Sequence, residues 1–113
     1  MTIRNLQHYA LTVPDIEAGK TFYTDFGLEA SDRADRSVLR CHGRAQDQVI
    51  LLQGASKRLH HVAFGTRAED LEALGKRLQA VGTARLDPPQ ISDGEGVWFR
   101  DPDGVLVNVR AAE

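Results

Sequence analysis

The chain has 113 residues, 42% hydrophobic and 27% charged, with a formal charge of −2. That is the composition of one globular domain with a real core, not of a disordered or membrane-embedded chain. No Lys/Arg cluster offsets the acidic balance, so nucleic acid is excluded as a partner, and no segment has the length of a membrane span. The single cysteine, Cys41, excludes an internal disulfide framework and a cysteine-built zinc site, and it fits a reducing, cytoplasmic setting; the opening MTIRNLQHYALTV lacks the apolar run of a secretion signal.

Leu6 to Val13 alternates, with Tyr9, Leu11 and Val13 on one side and His8, Ala10 and Thr12 on the other, which predicts a half-buried strand. Pro14-Asp15 ends it, and Asp15 is placed to cap a following helix. Ile16, Phe22 and Phe26 are expected to line the buried face of that helix, and Gly27 to stop it. Weak strand character runs from Leu28 to about Asp35, stronger character over Val38 to Cys41, and a short buried run covers Val49 to Gln53 before Gly54. Tyr9, Tyr23 and Phe22 are read as core residues, and Cys41 as a small core residue of its strand.

The order then repeats. Leu59 to Thr66 alternates like the first strand, with Val62 and Phe64 opposite His61, Ala63 and Gly65. Arg67 to Val81 carries Leu71, Leu74, Leu78 and Val81 at helical spacing, and Gly82 follows. A weak strand near Ala84 to Leu86, the break at Pro88-Pro89, a strand over Val97 to Arg100, the turn Asp101-Pro102-Asp103-Gly104 and a strand over Val105 to Arg110 complete it. The fold class is therefore α+β: two tandem βαβββ modules, about 3–54 and about 58–110, within one domain over 1–113. They are expected to form a curved mixed sheet, a cup with the helices on its outer face.

His8 and His61 open equivalent strands about half a chain apart. With Tyr9, Leu11, Val62 and Phe64 turned to the helices, both histidines face the other side, as does Asn108 of the closing strand. Two imidazoles and one oxygen donor with open positions suit a divalent iron or manganese that binds substrate directly. A single strand histidine is more often merely hydrogen-bonded, and a neutral amide is a poor replacement for a carboxylate. Arg110 projects toward the same side and would repel a cation. His60 points to the opposite face, and His42 reads as a solvated loop residue. Trp98 fits either the cup or the core, because Val97 and Phe99 are also apolar, and Glu95 lies in an acidic, flexible loop, Asp93-Gly94-Glu95-Gly96.

HYALTVPD early, HHVAFGT at the midpoint and FRDPDGVLVNV at the end resemble the vicinal oxygen chelate superfamily, which comprises glyoxalase I, bleomycin- and fosfomycin-resistance proteins and type I extradiol dioxygenases. The likeness covers roughly Ile3 to Arg110, and its opening, TIRNLQHYALTVPDIEAGKTFYTDFGL, is most similar to an extradiol dioxygenase domain. The resemblance implies metal ligands at His8, His61 and Asn108, the last in place of a glutamate, with the equivalent first-module position at Leu52. It further implies Fe(II) or Mn(II), cleavage of a catechol-type ring, a small aromatic or hydrophobic ligand and a homodimer. Asn108 and Leu52 depart from the acidic pattern of catalytic members. They favour the alternative of a non-catalytic small-molecule-binding domain of the glyoxalase/bleomycin-resistance type, with no metal.

Overall fold

A computed structural model describes residues 3–112. The elements run β1 (Asn5–Val13), α1 (Ile16–Asp25), β2 (Glu29–Asp32), β3 (Arg36–Arg40), β4 (Asp47–Gln53), β5 (Arg58–Thr66), α2 (Asp70–Ala80), β6 (Val97–Arg100) and β7 (Leu106–Ala111). They fall into two compact units, one over Gln7–His60 and one holding the rest of the described chain.

In the unit Gln7–His60 the strand order is β2-β3-β4-β1. β1 and β4 run parallel, with Tyr9 opposite Val49 and Ala10 opposite Ile50, while β3 pairs antiparallel with β4 and with β2. Tyr9, Leu11 and Val13 pack with Leu39, Val49 and Leu51 against Ile16, Tyr23 and Leu28, so the face predicted to meet the helix does so. Asp15 caps α1 as expected, its Oδ1 accepting from the Ala18 amide at 3.1 Å. The helix face differs from expectation. Phe22 and Phe26 are 58% and 71% exposed and meet edge to face at 5.1 Å, while Ile16 and Tyr23 turn inward. Residues seven apart nearly superpose around a helix, whereas positions 22 and 26 lie well round the cylinder from 16. Cys41 follows the end of β3 and is exposed, not a core residue, because the strand stops at Arg40.

The second unit has the order β5-β7-β6, again with its first and last strands parallel and the intervening strand antiparallel at the outside. Leu74 and Leu78 of α2 pack on Val97, Val107 and Val109, with Val62, Phe64 and Leu71 at the margin. α2 starts at Asp70 rather than Arg67, and Val81 caps its end at 67% exposure instead of joining the core. Gly82, at φ +75°, turns the chain away. The strand expected near Ala84 to Leu86 is reduced to one bridge, Leu86 to Trp98, since neither Pro88 nor Pro89 has an N–H with which to extend a ladder. The second module is thus β-α-bridge-β-β, and the α+β class with mixed sheets holds for both units.

Candidate functional site on the non-helical face

The β5–β7–β6 register assembles a polar cluster on the face turned away from α2. Asn108 lies between Ala63 of β5 and Trp98 of β6, and His61 precedes Ala63 by two positions, hence on the same face. Both His61 and Asn108 are buried, and the His61 ring meets the Trp98 indole edge to face at 5.0 Å. Trp98, left open by its apolar neighbours, belongs to this face: it is fully buried, and its Nε1 donates to the Glu95 carbonyl at 3.1 Å.

The Asn108 amide is fully engaged. Its Nδ2 donates to the carbonyls of Glu95 (2.9 Å) and Val97 (3.2 Å), and its Oδ1 accepts from Arg110 Nε at 2.8 Å. These partners fix the amide orientation, because only the nitrogen can donate to carbonyls and only the oxygen can accept from a guanidinium. Arg110 continues outward as a fork, with Nη1 and Nη2 donating to the Asp93 carboxylate at 2.8 and 3.1 Å. The Arg110 side predicted from strand alternation is the one observed. Asp93 is the member of the cluster that sequence reasoning missed; Glu95, from the same loop, contributes its carbonyl. The signal available was only the acidic character of the segment, since contacts across 17 residues are invisible to periodicity.

His8 is buried on β1, on the side of Ala10 and away from Tyr9 and Leu11, in the unit Gln7–His60. Register also corrects one equivalence. Ala10 of β1 lies opposite Ile50, as Ala63 of β5 lies opposite Asn108, so Ile50 rather than Leu52 corresponds to Asn108. Neither aliphatic side chain can bind a metal. His42, by contrast, is the solvated loop residue expected, its Nδ1 beside the Glu29 carboxylate.

Fe(II) or Mn(II) at His8, His61 and Asn108 does not fit these donors. No carboxylate is among the three, and the amide oxygen already faces a guanidinium whose charge opposes a second cation. Among the described residues, no group of three or more His, Cys, Asp or Glu side chains is gathered to hold a metal.

The profile of the Glyoxalase/Bleomycin resistance protein/Dioxygenase superfamily matches residues 5–109. Metapyrocatechase 2 of Cupriavidus necator is 32% identical over 113 residues; the match covers 96% of this chain and 33% of that protein. Among solved structures, the 2,3-dioxygenase LapB from Pseudomonas sp. KL28 superposes with a TM-score of 0.81 at 26% identity, over 96% of this chain and 41% of that one. The Mn(II)-bound glyoxalase from Novosphingobium aromaticivorans gives 0.81 at 25% identity, over 96% and 39%. The chain thus spans about a third of the curated relative it matches. With the family profile matching from the first strand to the last, the chain belongs to the glyoxalase/bleomycin resistance protein/dioxygenase superfamily and is extradiol-dioxygenase-like within it.

Proposed function

We propose that the chain is a small-molecule-binding domain of the extradiol-dioxygenase type, with no metal centre of its own. The likeness to Metapyrocatechase 2 points to catechol-type aromatic molecules as the ligand class. The observation that carries the reading is the Arg110 guanidinium on the Asn108 amide oxygen at 2.8 Å. The guanidinium stands at the oxygen that the metal reading requires, and its positive charge opposes a metal cation there. His61 and Trp98 then serve as a packed aromatic pair on a sheet face.

One experiment separates this reading from its rival. The protein, free of any histidine tag, is loaded anaerobically with Fe(II) or Mn(II), passed through a desalting column and assayed for metal and for catechol cleavage under O₂. The proposal expects metal well below one equivalent, no yellow ring-cleavage product, and no change in either measurement for His8→Ala or His61→Ala. Catechol binding, followed by Trp98 fluorescence, is expected without metal. One equivalent of metal, lost in His61→Ala, would overturn the proposal in favour of metal-dependent ring cleavage through His8, His61 and Asn108. That second reading is supported by the repeat-equivalent histidines and by the 32% identity to Metapyrocatechase 2.

We further propose a homodimer and a reducing, cytoplasmic setting. The exposed apolar side chains Ile3, Leu6, Leu59, Phe22 and Phe26 support the first, and the free thiol of Cys41 the second. A monomer mass at every concentration in sedimentation equilibrium would remove the dimer.

A further inference from the structure

The loop before β6 is held to β6 and β7 by side-chain hydrogen bonds and by one close backbone approach. The Asp93 carboxylate accepts both Nη atoms of Arg110. The Glu95 carbonyl accepts from Asn108 Nδ2 and from Trp98 Nε1. Gly96, at φ +79°, lies so close to β7 that a Cβ there would stand 2.3 Å from the Val109 carbonyl oxygen and 2.9 Å from Asn108 Nδ2. Within the loop, Asp93 Oδ1 also accepts the Glu95 amide at 3.0 Å. Three strand side chains, Trp98, Asn108 and Arg110, thus hold Asp93 and Glu95, while Gly96 lies directly against β7.

We infer that Asn108 and Arg110 are positioning residues that latch the loop Asp93–Gly96 over the His61–Trp98 face of the second unit. The latch has two stages. Asn108 is buried and bonds backbone carbonyls, so it sets the path of the loop. Arg110 bridges the buried amide to the half-exposed Asp93, so it closes the loop from outside. A lysine cannot replace it, since one ammonium cannot donate in a fork to a carboxylate while also meeting the amide oxygen in the plane of a guanidinium. The inference rests on the loop contacts themselves; it explains what occupies Asn108 but does not depend on the proposed lack of metal.

Trp98 is the chain's one tryptophan, which makes its emission a direct report on the loop carbonyl it bonds. Asp93→Asn and Arg110→Gln change the outer stage and leave the apolar core alone. Both are expected to speed amide exchange over residues 93–96 by roughly tenfold or more while α2 keeps its protection. Both should also shift Trp98 emission to the red and raise its quenching by acrylamide. Arg110→Lys is expected to behave like Arg110→Gln, and the charge exchange Asp93→Arg with Arg110→Asp to recover part of the protection. Unchanged exchange over 93–96 in both single variants, with native circular dichroism, would overturn the latch. So would equal loosening of α2, which signals general destabilisation. Metal at one equivalent in the native protein with the latch intact would remove the proposed function and leave this inference standing.

Discussion

Arg110 and Asn108, two residues apart on one face of β7, are joined by an Nε–Oδ1 hydrogen bond of 2.8 Å that ties a charge to a fully buried amide. The bond turns a position that resembles a metal-ligand site into a link between β7, β6 and the loop before it. Replacing the amide is therefore a structural lesion. Asn108→Ala is expected to destabilise the protein by about 2 kcal/mol or more, because the Val97 carbonyl and the Arg110 Nε both lose a buried partner. Urea denaturation of the variant checks this, and a midpoint equal to that of the native protein would contradict it.

Two glycines with the same backbone conformation should respond differently. Gly94 and Gly96 have φ of +78° and +79°, but a Cβ at Gly94 meets nothing within 4 Å, whereas one at Gly96 collides with backbone. Gly94→Ala is expected to cost about 1 kcal/mol, the ordinary penalty of a left-handed alanine. Gly96→Ala adds a collision that only movement of β7 relieves, and more than about 3 kcal/mol is expected. Thermal melts of the pair measure the difference directly.

The helix faces offer a third contrast. Phe26, the C-cap of α1, is largely exposed, and Leu74 is on the buried face of α2. Phe26→Ser is expected within about 0.5 kcal/mol of the native protein, against about 2–5 kcal/mol for Leu74→Ala. For the homodimer proposed above, Phe26→Ser is expected to raise the dissociation constant in sedimentation equilibrium.

Stability should fall at high pH through Tyr9. Burial, then the hydrogen bond with the Tyr23 hydroxyl at 3.0 Å, pushes its phenol up from 10.0 to about 12. A raised acid binds its proton in the folded state after the unfolded chain has released it, so unfolding is favoured as pH climbs. The contribution is complete below pH 10.0 and is lost as pH rises from there through about 12. Tyr9→Phe removes the phenol and should flatten that part of the stability profile. An equally steep decline in the variant would assign the effect elsewhere.

The sequence by itself determined the duplicated strand-helix-strand plan, because alternation at Tyr9, Leu11 and Val13 and helical spacing at Leu71, Leu74 and Leu78 are local consequences of backbone geometry. It also set which side of β1 and β5 the histidines occupy, since a strand offers only two faces. The inner face of α1 was less legible. Ile16 and Tyr23 lie inward as the sequence suggests, but Phe22 and Phe26, read as core by hydrophobicity, are turned outward by the helix angle. What only the tertiary structure decided is the chemistry around Asn108. Its partners, the Glu95 and Val97 carbonyls and the Arg110 guanidinium with Asp93 behind it, come from a loop and two strands. Strand alternation puts Arg110 on the Asn108 side, but the path that brings the Glu95 carbonyl and Asp93 to that side is set by contacts distant along the chain, and no periodicity encodes it.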